Sequence, residues 1–254
     1  MAHAADSALH LGTPPTGTLV AARGLGVEFV LDRHQRPVTP ALARLRRAAD
    51  RVWALRDLDL TLLGGEAVAL VGRSGSGKTT LLRAIAGVVV ADAGEIEVRG
   101  RVGALLSVEA GLSRVLSGRE NAELMGVLAG IPRAVVRAHL DDVRDLADLG
   151  DAFERPANTY SQGMRARLGF AVGQAAGARV LVLDEVHEAL DHEFRALVAD
   201  RARELTESGG IVVAAGHDHE LLETFSTRAL HLEGGRIVAD GAFAEVAANY
   251  RESA

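Results

Sequence analysis

A glycine-rich segment, residues 72–79, has the composition and spacing of a phosphate-binding loop. An apolar run over residues 67–71 precedes it, and a helix-favouring stretch follows it. Glycines allow a tight turn in which backbone N–H groups converge on phosphate oxygens, and the following helix adds the positive end of its dipole. Lys78, the only lysine in the chain, can reach the β- and γ-phosphates, while the Thr79 hydroxyl can ligate Mg²⁺. We therefore predict binding of a nucleoside triphosphate, through Gly72, Ser74, Gly75, Ser76, Gly77, Lys78, Thr79 and Thr80.

Two adjacent carboxylates, Asp184 and Glu185, follow a second apolar run over residues 179–183. Such a run is typical of a buried parallel strand, and open α/β sheets bind ligands at the carboxyl ends of their strands. Asp184 is suited to holding Mg²⁺ through water, and Glu185 to accepting a proton from an attacking water or orienting it. An acidic cap on the next turn is the structural alternative. With the phosphate loop present, the pair is predicted to complete a site for hydrolysis.

The elements that must position these residues alternate along the chain. Strands are predicted over residues 19–30 (one or two), 52–55, 58–63, 67–71, 94–99, 102–108, 179–183, 211–215, 229–232 and 236–239. Beyond the helix after the phosphate loop, helices are predicted over residues 117–129, 132–149, 161–176, 191–208, 218–226 and 243–250. Strands alternating with helices indicate an α/β sheet with helices on both faces. Since no internal repeat is found, one nucleotide-binding unit is expected.

The composition limits the classes of function. The chain has 254 residues, 48% hydrophobic and 24% charged, which suits one large domain, and its net charge of −6 does not suggest a nucleic-acid partner. It has no cysteine, and its apolar runs fall far short of the roughly 20 residues that span a bilayer. Residues 1–18 are predicted to be a flexible tail without a secretion signal, and residues 19–254 the nucleotide-binding domain. We expect a cytosolic protein that reaches a membrane only through a partner.

A basic insert occupies residues 31–52, with arginines that outnumber its acidic residues. Pro40 suits the first turn of a helix over residues 41–52. A basic helix that also carries Leu42, Leu45 and Val52 could lie near an anionic lipid surface or a membrane partner. A solvated surface helix is the alternative, and the sequence leaves both open.

A third segment, residues 160–168, lies shortly before the carboxylate pair and resembles the signature motif of ATP-binding-cassette ATPases. Ser161 and Gly163 stand at a helix start, where a hydroxyl, backbone N–H groups and the dipole can meet phosphate. The resemblance implies a P-loop NTPase fold with a RecA-like core, a small antiparallel β subdomain and a helical subdomain. It also implies ATP and Mg²⁺ as ligands and a homodimer in which Ser161, Gln162 and Gly163 complete the opposite subunit's site.

Further positions match that family one at a time. His217, at the end of a predicted strand, resembles the switch histidine that contacts the γ-phosphate. Asp191 resembles the last residue of the D-loop, which links the two sites of the dimer. Phe29 occupies the place of the aromatic residue that stacks on adenine, with Trp53 as the alternative or as a core residue. The resemblance thus implies catalytic roles for Glu185 and His217, and nucleotide contacts for Phe29 and Asp191.

One departure concerns the loop after the second sheet strand, which in the family carries a glutamine near Mg²⁺. No glutamine lies between Val102 and Leu112, and Ser107 or Glu109 stands in that neighbourhood. Either residue could serve, or coupling between hydrolysis and partner movement could differ here.

Within the family, the chain most resembles the polysaccharide-exporter branch, which moves O-antigen, teichoic acid or galactan intermediates on lipid carriers. The resemblance covers residues 19–250 and is carried by residues 94–102, 104–106, 110–111, 116–121 and 160–168 and by the insert ahead of Trp53. Some members add a C-terminal sugar-binding domain. Because this chain stops soon after Tyr250, we expect that domain to be absent and the membrane partner to recognise the cargo.

The resemblance implies an ATPase that couples ATP hydrolysis to transport at the cytoplasmic face of the membrane. Its partners would be a second copy, an integral-membrane permease contacted by a helical subdomain at about residues 113–160, and a lipid-linked glycan handled by the permease. Export of a drug or antibiotic is the alternative cargo. A P-loop kinase or a soluble cassette protein is the alternative class, but a kinase does not need residues 161–163 to complete a partner's site.

Overall fold

The computed structural model describes residues 17–31, 50–105, 112–184, 191–216 and 219–253. The strands in these ranges are β1 (Leu19–Leu31), β2 (Asp50–Leu63), β3 (Ala67–Val71), β4 (Ala93–Arg99), β5 (Val102–Leu105), β6 (Val180–Asp184), β7 (Ile211–Ala215), β8 (Arg228–Glu233) and β9 (Arg236–Ala242). The helices are α1 (Lys78–Ile85), α2 (Gly118–Leu128), α3 (Arg133–Ala138), α4 (Leu140–Leu146), α5 (Gln162–Ala175), α6 (His192–Glu207), α7 (His219–Glu223) and α8 (Phe243–Ser253). Short 3₁₀ turns span Gly150–Glu154 and Ala157–Thr159.

A six-stranded sheet forms the centre of the molecule, with strand order β5-β6-β7-β3-β8-β9. All neighbours in it are parallel except β9, which runs antiparallel to β8. Every residue of β3, β6 and β7 is buried, as expected for continuous apolar strands covered on both faces. Because Leu70 and Asp184 both pair in register with Ala215, the carboxyl ends of β3 and β6 lie at the same edge of the sheet.

A smaller antiparallel sheet has the order β2-β1-β4. The two short strands predicted over residues 52–55 and 58–63 are one strand, β2, because β1 pairs with it along its whole length. The prediction of a helix up to residue 52 is wrong for its last residues, since Asp50, Arg51 and Val52 already pair with β1. Residues 32–49, which hold the rest of the basic insert, lie outside the described residues.

Two apolar clusters cover the faces of the central sheet. One lies under α5, α6, α7 and α8 and includes Phe170, Phe194 and Phe243. The other joins α1 to the small sheet and includes Leu55, Leu70 and Leu81. Full burial of one such side chain contributes about 1.5–3 kcal/mol to stability. The small sheet and the phosphate-loop helix are therefore held on the same side of the central sheet.

The helical segment between β5 and β6 has an apolar cluster of its own, formed by α2–α5 and the 3₁₀ turns. A capping box starts α2, because the Ser117 side chain accepts from the Glu120 N–H while the Glu120 carboxylate accepts from the Ser117 N–H. The single helix predicted over residues 132–149 is wrong. It breaks at His139, where φ is −117° and ψ is 11°, and continues as α4.

The remaining predicted helices agree with the structure to within a few residues. The prediction for α6 was residues 191–208, and these end residues are its caps. Helix α7 is shorter than predicted and ends at Glu223, and the following residues continue in tight turns. Across the described ranges, no helix is both long and apolar enough to span a bilayer. The predicted N-terminal tail lies outside the described residues up to residue 16, and the Thr18 carbonyl accepts from the Gly64 N–H at 3.0 Å.

Candidate nucleotide-binding site

The phosphate loop connects the buried strand β3 to α1 through three glycines with left-handed backbone angles. The φ angles are 144° at Gly72, 80° at Gly75 and 110° at Gly77. Only glycine adopts such angles without strain, so the loop shape follows from the sequence of the loop itself. Arg73, Ser74 and Gly75 are exposed at the tip, whereas Ser76, Gly77 and Lys78 are buried.

Three other elements support the loop from below. A Cβ on Gly77 would lie 2.7 Å from the Ala54 carbonyl oxygen of β2, and one on Gly72 would clash with the Leu232 carbonyl of β8. The Gly235 N–H, in the turn between β8 and β9, donates to the Ser76 carbonyl at 3.0 Å. Sequence analysis did not identify these supports, because the residues are far from the loop along the chain and have no motif of their own.

The N-terminus of α1 has features of an anion site. Its N-cap residue, Gly77, makes no side-chain capping bond, and no acidic residue lies in the first turn. Ser76 is buried, and its Oγ has no hydrogen-bond partner among the described residues. Buried hydroxyls are normally paired. A bound phosphate fits this arrangement, because it would accept hydrogen bonds from the helix start and from the Ser76 hydroxyl.

The ammonium of Lys78 is held against the loop and not in solvent. Lys78 is 7% exposed, and its Nζ donates to the carbonyl oxygens of Gly72 at 2.5 Å and Arg73 at 3.1 Å. A buried ammonium needs such partners, since desolvation of a charge is costly. The side chain thus lies beside the turn where we predict the phosphates to bind.

Two residues, Thr79 and Asp184, are predicted to bind Mg²⁺, and both would supply side-chain oxygen atoms. Thr79 is partly exposed in the first turn of α1, and Asp184, 7% exposed, ends β6 at the same edge of the sheet. A threonine hydroxyl and a carboxylate are ligands that Mg²⁺ accepts, usually together with water and phosphate oxygens. The donor set therefore fits this ion.

The predicted signature residues are at a second helix start. Ser161 is the N-cap of α5, its Oγ accepts from the Met164 N–H at 3.2 Å, and the first turn holds no acidic residue. Ser161 and Gln162 are exposed, and Gly163 is partly exposed. The preceding Tyr160 is buried and donates to the Ala152 carbonyl at 2.6 Å, and burial raises the pKa of its hydroxyl. The buried Tyr160 therefore anchors the chain directly before the exposed start of α5.

Asp191 and the signature helix are joined by Arg167, a contact that sequence analysis missed. The Asp191 Oδ1 caps α6 by accepting from the Phe194 N–H at 3.0 Å, and its Oδ2 pairs with the Arg167 guanidinium. The backbone bond from Phe194, with a smaller contribution from Arg167, lowers the pKa of Asp191. The same guanidinium pairs with Asp148 at 2.9 Å and lies 4.9 Å from the centre of the Phe194 ring.

The two candidate adenine-stacking residues have different surroundings. Phe29 is 42% exposed near the end of β1, opposite Val52. Trp53 is partly buried, and its ring packs against the backbone of Gly26 so closely that a Cβ there would lie 2.7 Å from the Trp53 Cζ3. Phe29 is thus the more exposed of the two rings, which keeps it as our candidate for stacking.

Other predicted site residues lie outside the described part of the chain. These are the catalytic candidates Glu185 and His217 and the two residues considered in place of the missing glutamine, Ser107 and Glu109. The described neighbours of the catalytic candidates, Asp184 and Gly216, are buried at the carboxyl ends of β6 and β7.

The chain has clear relatives among characterised proteins. It is 35% identical over 210 residues to the O-antigen export system ATP-binding protein RfbB of Myxococcus xanthus, covering 83% of this chain and 48% of that protein. It is 32% identical over 200 residues to the protein of the same name from Klebsiella pneumoniae, covering 79% and 81%. It is 34% identical to the teichoic acids export ATP-binding protein TagH of Bacillus anthracis, covering 79% and 36%. The chain thus spans about half or less of the length of two of these three relatives.

The fold has close neighbours among solved structures. The dimeric post-hydrolysis structure of the ATP-binding cassette MJ0796, bound to ADP and Pi, matches with a TM-score of 0.71 and 20% identity, over 88% of this chain and 98% of that one. The dimeric structure of the same bacterial ABC transporter cassette matches with a TM-score of 0.72. The model of the ABC transporter family matches residues 55–188, which include the phosphate loop and the start of α5. The chain belongs to the ABC transporter family.

Proposed function

We propose that this chain is the ATP-binding and ATP-hydrolysing subunit of an ABC exporter that moves a lipid-linked polysaccharide across the cytoplasmic membrane. The observation that carries the nucleotide part is the phosphate loop. Its three left-handed glycines and the uncapped start of α1 form an anion site beside Lys78, and Asp184 lies at the same edge of the sheet. Phosphate of a nucleotide is the anion that this combination suits.

ATP would lie with its phosphates on residues 72–80 and its adenine on Phe29. Lys78 would move its ammonium from the loop carbonyls to the β- and γ-phosphates, which exchanges neutral acceptors for charged ones. Thr79 and Asp184 would hold Mg²⁺, which when bound neutralises charge on the phosphates. Glu185 would orient the attacking water, and His217 would contact the γ-phosphate, as the family resemblance implies.

A homodimer is proposed because the second helix start is exposed. Ser161 and Gln162 present backbone N–H groups and a hydroxyl on the surface, at a start with no acidic residue. A phosphate supplied by a second copy would meet this surface without charge repulsion. The named dimeric cassettes with the same fold support this arrangement.

The helical segment is the proposed contact with a permease. Four exposed apolar side chains lie on it, of which Val115 and Leu128 are 79% and 70% exposed and Leu124 and Val127 are 37% and 41% exposed. Three of them, Leu124, Val127 and Leu128, lie on α2 at helical spacing, and exposed apolar residues grouped in this way favour a protein partner. Such a contact would place the chain at the cytoplasmic face of the membrane, peripheral through its permease.

The polysaccharide cargo is proposed from the relatives, whose names specify export of O-antigen and of teichoic acids. Each of these names describes an ATP-binding protein that serves export. The cargo would be handled by the permease, as the family resemblance implies.

Replacement of Glu185 by Gln tests the ATPase and the dimer together. We expect the variant to lose ATP turnover, because the isosteric amide cannot accept a proton from the attacking water. An ATP-bound dimer should accumulate, because ATP still joins the two copies. Turnover is measured by phosphate release, and assembly by sedimentation with and without ATP. A variant that hydrolyses ATP normally and stays monomeric in ATP contradicts the mechanism.

Depletion of the protein in its native cells tests the cargo. If the proposal is right, a finished carrier-linked polysaccharide accumulates inside and disappears from the surface. The purified chain is assayed for ATP hydrolysis in parallel. If it hydrolyses ATP but depletion leaves the glycans unchanged, the glycan cargo is contradicted and a drug or another lipid is favoured. A plasmid copy with Lys78→Met is the matched control, since it restores the protein with weakened ATP binding.

A further inference from the structure

The C-terminal helix α8 is a fixed part of the fold that the proposed function does not use. Phe243, Val246 and Ala247 are buried in the cluster beneath the central sheet. The Phe243 N–H also donates to the Thr227 carbonyl at 3.0 Å, just before β8. The first half of α8 is therefore anchored, and its position determines where the second half, with Tyr250, lies.

The ring of Tyr250 lies between two histidine rings from different elements. Its centre is 5.0 Å from that of His231, in an edge-to-face arrangement with an interplanar angle of 66°. It is 5.9 Å from that of His219, at an angle of 37°. Aromatic pairs at such distances stabilise the contact beyond the area that they bury.

The two histidines belong to elements connected with the two neighbours of β3 in the sheet, β8 and β7. His231 lies in β8 and pairs with Val71, the residue directly before the phosphate loop. His219 begins α7, the helix that follows β7, and β7 is the strand between β3 and β6. Tyr250 and His231 also line a cleft of about 450 Å³ together with residues 73–76 of the loop.

We propose that Tyr250 is a positioning residue for ATP hydrolysis. Its ring holds the start of α7 against β8, the strand that pairs with the last residue before the phosphate loop. The inference rests on the proposed function for its catalytic consequence, because the catalytic candidate His217 precedes His219 by two residues in the sequence. The holding of α7 itself can be observed without any ATP turnover.

The test compares Tyr250→Leu, which removes the ring but keeps an apolar side chain, with Tyr250→Phe, which keeps the ring. Asn249→Ala, at an exposed position of the same helix, is the control. Hydrogen–deuterium exchange of the full chain is followed in α7 and in residues 72–77. We expect Tyr250→Leu to speed exchange of the α7 amides about fivefold to tenfold and the other two variants to change it less than about twofold.

ATP hydrolysis by the same variants gives the second readout. We expect Tyr250→Leu to lower kcat about fivefold with KM changed less than about twofold, and Tyr250→Phe to restore kcat. In the His219→Ala background, Tyr250→Leu should have a smaller effect than alone, because the contact is already lost. A merely structural role would lower kcat only in proportion to the folded fraction, which fluorescent ATP analogue binding measures.

Unchanged exchange in α7 on Tyr250→Leu overturns the positioning role. Faster exchange with unchanged kcat overturns its catalytic consequence, as does equal loss of kcat in the Phe and Leu variants. A wild-type chain that binds ATP but does not hydrolyse it would instead contradict the proposed function, and the exchange experiment would still decide whether Tyr250 holds α7.

Discussion

Two helix starts carry the nucleotide proposal, and they are built in opposite ways. Helix α1 begins at a buried glycine with a left-handed backbone and no side-chain cap, enclosed by β2 and the turn between β8 and β9. Helix α5 begins at an exposed serine whose hydroxyl caps its third N–H group. Neither has an acidic residue in its first turn.

The difference indicates which site is complete within one chain. At α1 the backbone N–H groups of the first turn have no capping side chain, and the surrounding elements fix their direction, so a phosphate is the partner that they suit. At α5 the start is already capped and faces solvent. We infer that the first helix start binds ATP in a single chain, while the second acts only when another copy brings phosphate to it.

The largest effect is expected from Gly77→Ala. The alanine would take a left-handed angle and place its Cβ 2.7 Å from the Ala54 carbonyl, so we expect the free energy of unfolding to fall by about 2–4 kcal/mol and ATP binding to be lost. Denaturant unfolding and fluorescent ATP analogue binding measure this. Gly75→Ala is the matched control, because its angle is also left-handed but no atom lies within 4 Å of the added Cβ.

Lys78→Met should separate binding from folding at the first helix start. Loss of one charge-assisted contact of about 1.5–3 kcal/mol predicts ATP binding weaker by about 10-fold to 100-fold. The apolar stem remains, so the thermal midpoint should change little. Titration of the full chain with a fluorescent ATP analogue gives the affinity. An affinity equal to that of the wild type would mean that Lys78 does not reach the phosphates.

Ser161→Ala should affect the second helix start alone. Loss of the cap predicts a fall of about 1 kcal/mol in the free energy of unfolding, and Ser161→Gly a fall of only a few tenths. We expect ATP binding by the monomer to stay within about twofold of wild type while turnover, which needs the dimer, falls. If Ser161→Ala weakens binding by the monomer as Lys78→Met does, the distinction between the two helix starts is wrong.

The smallest effect is expected from Asp191→Asn, and the difference from wild type should be present at neutral pH and disappear at acidic pH. Because the pKa of Asp191 is lowered in the folded chain, the unfolded chain binds more protons at acidic pH. The charged carboxylate therefore stabilises the folded chain above the unfolded pKa of about 4, and this stabilisation is lost as the pH falls through the folded pKa. The variant should therefore lose less stability than wild type between neutral pH and pH values below about 4. Urea unfolding at several pH values checks this, with Asp151→Asn, at an exposed position, as the control.

Local patterns in the sequence were enough to predict the elements that form most of the candidate phosphate site. The run before Gly72, the glycine spacing and the apolar run before Asp184 predicted two buried strands and a loop, and all three are confirmed. Predictions that extended a pattern past its limits were wrong. The helix over residues 132–149 breaks at His139, and residues 50–52 belong to a strand because β1 pairs with them.

The sequence by itself determined those features that depend only on residues close together in the chain. The flexible glycines, the helix start and the lysine of the phosphate loop lie within eight residues. The prediction of a phosphate-binding loop therefore does not depend on the rest of the chain. The tertiary structure decided everything that joins distant segments. It placed β3 between β7 and β8, set Ala54 and Gly235 beneath the loop, and brought Arg167 to Asp148 and Asp191. Such contacts depend on which strands and helices pack together, and packing is a property of the whole apolar core that no short pattern contains.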